Sequence, residues 1–302
     1  MWWSQFRESL RGPIVPMPTP FKRDGAVDYA GLRRYTRFLI DNGIRIISPL
    51  GSTGEFYTVS EAEHRKIVAT VVDEAAGHVI VIAGASHSGT ALASRLVAQA
   101  RREGADAVLI CPPYYLYDGE EGVYEHYRTI AEENEIPIVV YSNRDVIRNI
   151  ELIGRLAEIP NIVGAKEATG NYLLYRNLCL HYGDRLAIIG GGTMGHFLWG
   201  QLWGSPAYFG GVANFLPAVE IEFFAAVCAG RLAEATRIVR EIEIPFIEVA
   251  VRIGWWRSLK AAMDCFGLPG GYSRLPNRTA SEVEREEIRT CLERLGLLRG
   301  AC

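Results

Sequence analysis

Eight short apolar runs, each followed by a stretch of helical spacing, leave this chain few ways to fold. The runs are PIVPM (13–17), IRIISPL (44–50), HVIVIAG (78–84), DAVLICP (106–112), IPIVVY (136–141), NIVGAK (161–166), LAIIGG (186–191) and AYFGGV (207–212). They are near-continuous in aliphatic and β-branched residues, as strands covered on both faces are. Between them the spacing is helical. Ser60 with Glu63 fits a capping box ahead of HRKIVATVVDEAAG, and Gly77 offers a stop. ALASRLVAQARREG and GVYEHYRTIAEEN carry apolar residues at helical intervals. Eight strand–helix units with no long polar linker predict a parallel (β/α)8 TIM barrel over 1–215. From Leu216 the pattern is helical only, with RLAEATRIVREIEIPFIEVAV reading as one long helix. This predicts a helical extension, 216–302, packed on the barrel.

Several function classes drop out early. A net charge of -3 and a pI near 6.1 give no basic footprint for nucleic acid. No Asp, Glu, Lys or Arg lies between Arg185 and Glu220. That stretch nevertheless holds GGG, His196, Gln201, Pro206 and Asn214, and it divides into strand, helix and strand, so a buried βαβ piece is expected and not a membrane span. MWWSQFRESLRG has no apolar signal region behind it, and a cytoplasmic protein is expected. The six cysteines (Cys111, Cys179, Cys228, Cys265, Cys291, Cys302) form no C-x-x-C pair, which fits reduced thiols. The histidines form no H-E-x-x-H motif, and no metal site is expected.

In such barrels the chemistry sits at the C-terminal ends of the strands. The second run ends in GSTGEF, where Gly51, Ser52, Thr53 and Gly54 offer backbone N–H groups and two hydroxyls to an anion. The alternative is a tight turn whose hydroxyls bond their own backbone. Glu55 is expected mainly to hold this loop. The fourth run leads to Tyr114 and Tyr115, and the fifth ends in Tyr141. A positioned tyrosine relays protons, whereas most buried tyrosines are packed rings with a satisfied hydroxyl. The sixth run ends in Lys166. One reading is a lysine snorkelling outward, paired with Glu167. The other places it at the barrel mouth, where desolvation disfavours the ammonium and the free amine attacks a ketone. The seventh run enters GGGTMG, and Gly190, Gly192 and Gly195 match G-x-G-x-x-G. A dinucleotide site would need an acidic residue ~20 positions later, and none is there. These glycines, like Gly210 and Gly211, instead suggest backbone approaching a substrate. Gly191 and Val212 stand with them as candidates for substrate contact.

Taken together, GSTGE, PPYY, Tyr141 and KEATG resemble the dihydrodipicolinate synthase and N-acetylneuraminate lyase family, from Gly12 to the C-terminal helices. The resemblance implies a class I lyase in which Lys166 forms an imine with a 2-oxo acid. It implies proton relay by Tyr141, with Ser52 linked to it, and carboxylate binding by Ser52 and Thr53. Tyr115 would reach into a neighbouring subunit, which implies a homodimer or homotetramer. No cofactor beyond the imine is implied. One departure concerns the arginine that binds the second substrate in the synthase branch, five residues after the strand-five tyrosine. Val146 stands there. Arg144, in NRD, and the NFLP of Asn214–Pro217 instead look like the 5-dehydro-4-deoxyglucarate dehydratase branch. An arginine in that loop would fork onto a distal carboxylate or pair with Asp145. The expected function is therefore Schiff-base aldol chemistry on a small 2-oxo acid. Dehydration of a deoxy-oxo sugar acid and a non-catalytic 2-oxo acid sensor are the alternatives. Trp255 and Trp256 have no assigned role at this stage, with helix packing the simpler one.

Overall fold

The eight runs form eight parallel strands: β1 (Gly12–Pro16), β2 (Ile46–Ser48), β3 (Ile80–Gly84), β4 (Ala107–Ile110), β5 (Ile138–Ser142), β6 (Ile162–Glu167), β7 (Ala187–Gly192) and β8 (Ala207–Gly210). They pair in chain order, and β8 closes on β1. The structure, a computed structural model, describes residues 2–115, 117–142 and 150–298, so Arg144 and Val146 lie outside the described residues. Among these residues no helix is long and apolar enough to cross a membrane. The charge-free stretch after Arg185 is β7, the Met194–Gln201 helix and β8, as its composition implied.

The side chains sort into an inner and an outer core. Ile14, Ile46, Ile82, Leu109, Val139, Val163, Ile189 and Phe209 fill the barrel. The Trp2–Ser9 helix closes its floor, with Trp3 and Phe6 packed on that cluster. Neighbours in sequence such as Val15, Ile47, Val108 and Val140 face outward to the helices. Both faces of each strand are therefore dry, which explains the lack of polar alternation. Ser60 and Glu63 make the expected capping box at the Glu61–Ala75 helix.

The expected helix over 231–251 is interrupted. A helix over Leu232–Ile238 passes into a π-turn over Val239–Glu243 and resumes at Ile244–Ile253. Pro245 has no N–H to give to the Glu241 carbonyl, so the ladder widens ahead of it. The Trp255–Cys265 helix follows directly and runs back over the barrel mouth, where its tryptophans meet the β2 and β8 loops.

Candidate active site

The mouth of the barrel holds a cavity of about 180 Å3 lined by Gly51, Ser52, Thr53, Tyr141, Lys166 and Gly191, among others. Four turns of local structure put them there, and the least expected concerns Lys166. Counting alternate residues along β6 from the inward Val163 would turn Glu167 inward and Lys166 outward. A register shift breaks that count. Ile138 pairs with Ile162, but Val139 pairs with Gly164, so Val163 is an extra residue. Such a bulge re-aims every side chain beyond it. Lys166 consequently enters the barrel directly opposite Tyr141 on β5, while Ala165 joins the outer core.

Lys166 is only 9 % exposed. Its Nζ lies 4.1 Å from the centroid of the Tyr141 ring and 4.0 Å from that of Phe209. Among the described residues no carboxylate pairs with it. Glu167, its neighbour, points the other way. It takes the His196 Nε2 at 2.7 Å, and the Thr169 backbone N–H donates to it at 2.8 Å. The outward, Glu167-paired lysine is therefore not what the chain builds. A competing nucleophile is disarmed nearby: burial pushes the Cys111 thiol up to about 11. At neutral pH it is a thiol and not a thiolate.

The GSTGE loop is held from outside the barrel. Leu50 and Glu55, at its two ends, both adopt left-handed backbone conformations with φ of 61° and 55°. Such geometry persists only where neighbours enforce it. The Thr19 hydroxyl donates to the Gly54 carbonyl at 2.7 Å, and the Trp256 indole N–H donates to the Ser52 carbonyl at 2.7 Å. Glu55 is fully buried and accepts from Lys260 Nζ at 2.6 Å, Asn277 Nδ2 at 3.0 Å and the Arg274 N–H at 3.2 Å. Lys260 spends its remaining donors on the Thr19 and Tyr272 carbonyls. Burial lowers the Lys260 pKa, and the Glu55 carboxylate opposes that shift. Glu55 thus holds the loop, and its partner comes from the C-terminal helices.

GGGTMG does not bind a nucleotide through its helix. The Met194 and Gly195 N–H groups at the start of the Met194–Gln201 helix donate to Glu243, at 2.6 and 2.8 Å. The chain's own Glu243 side chain occupies the position an anion would take. Gly191 does line the cavity, and a Cβ there would sit 2.3 Å from the Glu167 carbonyl. Val212 does not line it. β8 ends at Gly210 and the chain turns into the Val212–Asn214 3-10 helix, which sends Val212 into the outer core, 1 % exposed. Gly211 lines the cavity in its place. Asn214 of NFLP is fully buried, bonded to the Tyr35 hydroxyl and the Gly211 carbonyl, and serves the turn.

Tyr115 is 79 % exposed and lies outside the cavity. Among the described residues no hydrogen bond joins the Ser52 and Tyr141 hydroxyls. Sequence reasoning did not place Trp255 and Trp256, which line the cavity from the C-terminal helices. Their only signal was the aromatic doublet itself, since inspecting strand ends cannot find a helix residue. A second cavity of about 270 Å3 is lined by His64, Ser86, His87 and Tyr114. It is larger, but it lacks a lysine and the anion loop. Cys111, Cys179, Cys228, Cys265 and Cys291 are free, and among the described residues no His, Cys, Asp and Glu cluster could hold a metal.

A closed (β/α)8 barrel whose strand ends bury a lysine that meets no carboxylate among the described residues has the architecture of a Schiff-base lyase, and the family match gives that class. Residues 9–295 match the dihydrodipicolinate synthetase family, and the chain belongs to it. A 4-hydroxy-tetrahydrodipicolinate synthase of Methylococcus capsulatus is 35% identical over 96% of this chain and 100% of its own. The dihydrodipicolinate synthase of Aquifex aeolicus superposes with a TM-score of 0.89 at 29% identity, covering 97% of this chain and 100% of that one. The chloride-inhibited enzyme of Acinetobacter baumannii, solved with pyruvate, superposes at 0.89 with 30% identity, covering 96% and 100%.

Proposed function

We propose that this chain makes or breaks a carbon–carbon bond next to a small 2-oxo acid, of which pyruvate is the type, through an imine on Lys166. One observation carries the reading. A lysine almost removed from water, with two aromatic rings and no described carboxylate for company, faces a loop of hydroxyls and backbone N–H groups. A buried ammonium without a counter-ion is costly unless it is put to use.

In this reading Gly51, Ser52 and Thr53 take the substrate carboxylate, which sets the ketone carbon beside Nζ. The amine adds to that carbon, water leaves, and the imine forms. A proton lost from C3 gives an enamine, whose C3 bonds to an aldehyde carbon while the new oxygen takes up a proton. Water then hydrolyses the imine and frees Lys166. Run backwards, the same steps cleave the bond. Tyr141 pairs with Lys166 across the sheet, which supports giving it the movement of those protons. The exposure of Tyr115 suits a role in a second copy of the chain, so a homo-oligomer, dimer or tetramer, completes the relay. The imine needs no further cofactor.

Borohydride reduction in the presence of pyruvate tests this, read by intact mass and peptide mapping. An adduct on Lys166, absent from Lys166→Ala, is expected. Pyruvate that binds and leaves Lys166 unmodified would mean a 2-oxo acid sensor instead.

A further inference from the structure

Lys166 and Glu167 are neighbours on β6, so a slip of one position would exchange them between the two faces of the strand. The bulge at Val163 selects the face, yet nothing in the apolar run itself fixes where the bulge lies. What each side chain meets once it is placed therefore matters. Glu167 is fully buried outside the barrel. It needs donors there, because a buried carboxylate without a partner is strongly unfavourable.

His196, on the helix after β7, supplies one of them. Its Nε2 lies 2.7 Å from the Glu167 carboxyl, and only 11 % of the imidazole side chain is exposed. The Thr169 N–H and hydroxyl donate to the other carboxyl oxygen from the turn that follows β6. The imidazole is itself held in place. Its ring stacks on Tyr175, with centroids 4.8 Å apart, and the Thr193 hydroxyl accepts from its backbone N–H at 3.0 Å. Tyr175 in turn donates to the Ser205 hydroxyl at 2.7 Å. Gly190, which pairs with Glu167 across the sheet, leaves room for that tyrosine: a Cβ there would lie 2.8 Å from its hydroxyl.

From this arrangement we infer that His196 is a positioning residue for Lys166. By holding Glu167 outside the barrel it secures the register that turns the lysine inward, and it keeps the adjacent carboxylate away from the amine. The inference rests on the Schiff-base reading above. Without that donor Glu167 gains by turning towards the barrel mouth, where Lys166 Nζ and the GSTGE loop offer it partners. An amine held as an ammonium in an ion pair no longer attacks a ketone.

The test is borohydride trapping of pyruvate on Lys166 of the full-length protein, read as an initial rate by peptide mapping. His196→Phe keeps the stacked ring and loses the N–H. It should trap about tenfold or more slowly, the least that a buried carboxylate robbed of its partner implies. His196→Gln loses the ring but keeps an N–H within reach of Glu167, and it should trap nearly as fast as wild type. A role in packing alone predicts the opposite order. Adding Glu167→Gln to His196→Phe removes the charge that has lost its partner, so trapping should recover although one more native contact is gone. His196→Phe trapping at the wild-type rate overturns the inference. So does His196→Gln slower than His196→Phe, or a double variant no faster than His196→Phe. Should His196→Phe not fold, Thr169→Val strips another donor from the same carboxylate, and the same slowing and the same recovery with Glu167→Gln are expected of it. Trapping on the wild type with the wrong pattern among the variants sinks this inference alone, whereas no trapping on the wild type sinks the imine reading together with it.

Discussion

Replacing Lys260 by Met leaves the Glu55 carboxylate fully buried without its cation. The change removes one contact of 2.6 Å to that carboxylate and two to the Thr19 and Tyr272 carbonyls, while Asn277 and the Arg274 N–H remain. Breaking one partner of a buried ion pair costs about 3–5 kcal/mol. The unfolding entropy of a chain this long is about 0.6 kcal/mol per degree, so the thermal midpoint should fall by about 5–8 °C. The loss should also be felt at the site, because Glu55 ends the loop that carries Ser52 and Thr53. KM for pyruvate should rise more than kcat falls. The double variant Glu55→Gln, Lys260→Met removes the buried charge and should recover about half of the lost stability. Scanning calorimetry and steady-state kinetics on the three variants read both effects. A single variant that melts within 1–2 °C of wild type would refute the argument. So would a double variant no more stable than the single one.

Other expectations follow from the same geometry. Burial holds the carboxyls of Glu220 and Glu243 at about 7 and about 8, against an ordinary 4.5. Stability from a raised carboxyl is fully present below pH 4.5 and is lost as pH climbs through 7 to 8. The melting temperature should therefore fall between pH 5 and pH 8.5, and Glu243→Gln should flatten that slope; an unchanged slope counts against it. Glu63 behaves oppositely. Its hydrogen bond to Arg274 lowers it to about 2, so its contribution is present above pH 4.5 and is lost on acidification towards pH 2, to be read from acid melts of Arg274→Met. Gly211→Ala forces Trp255 aside and should cost about 1–3 kcal/mol in chemical denaturation, the usual penalty of overpacking. Tyr141→Phe should slow turnover by about 10²–10⁴-fold while pyruvate still binds in calorimetry; a loss under threefold would remove Tyr141 from proton transfer.

Much of this was legible in advance, for physical reasons. Strands dry on both faces must be apolar throughout, so eight such runs announced a barrel. Gly51, Ser52, Thr53, Tyr141, Lys166 and Gly191 could be picked out as candidates because barrel chemistry gathers at strand ends, and they line one cavity. The misses have reasons too. Val212 was placed in the cavity because its apolar run was read through to its end, whereas the chain leaves the sheet at Gly210. The helix over 231–251 looked continuous because one proline in a long apolar pattern widens a helix locally without abolishing it. GGGTMG was already unlike a nucleotide site, but the Glu243 side chain that fills it sits 48 and 49 residues further on.

Which way Lys166 points is different in kind. Nothing in NIVGAKEATG marks Val163 as an extra residue, because bulge and regular strand use the same apolar residues. The pairing with β5 decides it, by skipping one position between Ile138 and Val139. The same holds for contacts spanning 204 and 205 residues, Trp256 to Ser52 and Lys260 to Glu55. Local pattern sets which segments are dry and what chemistry they carry. Register and long-range packing, which depend on all the strands at once, decide which face that chemistry meets.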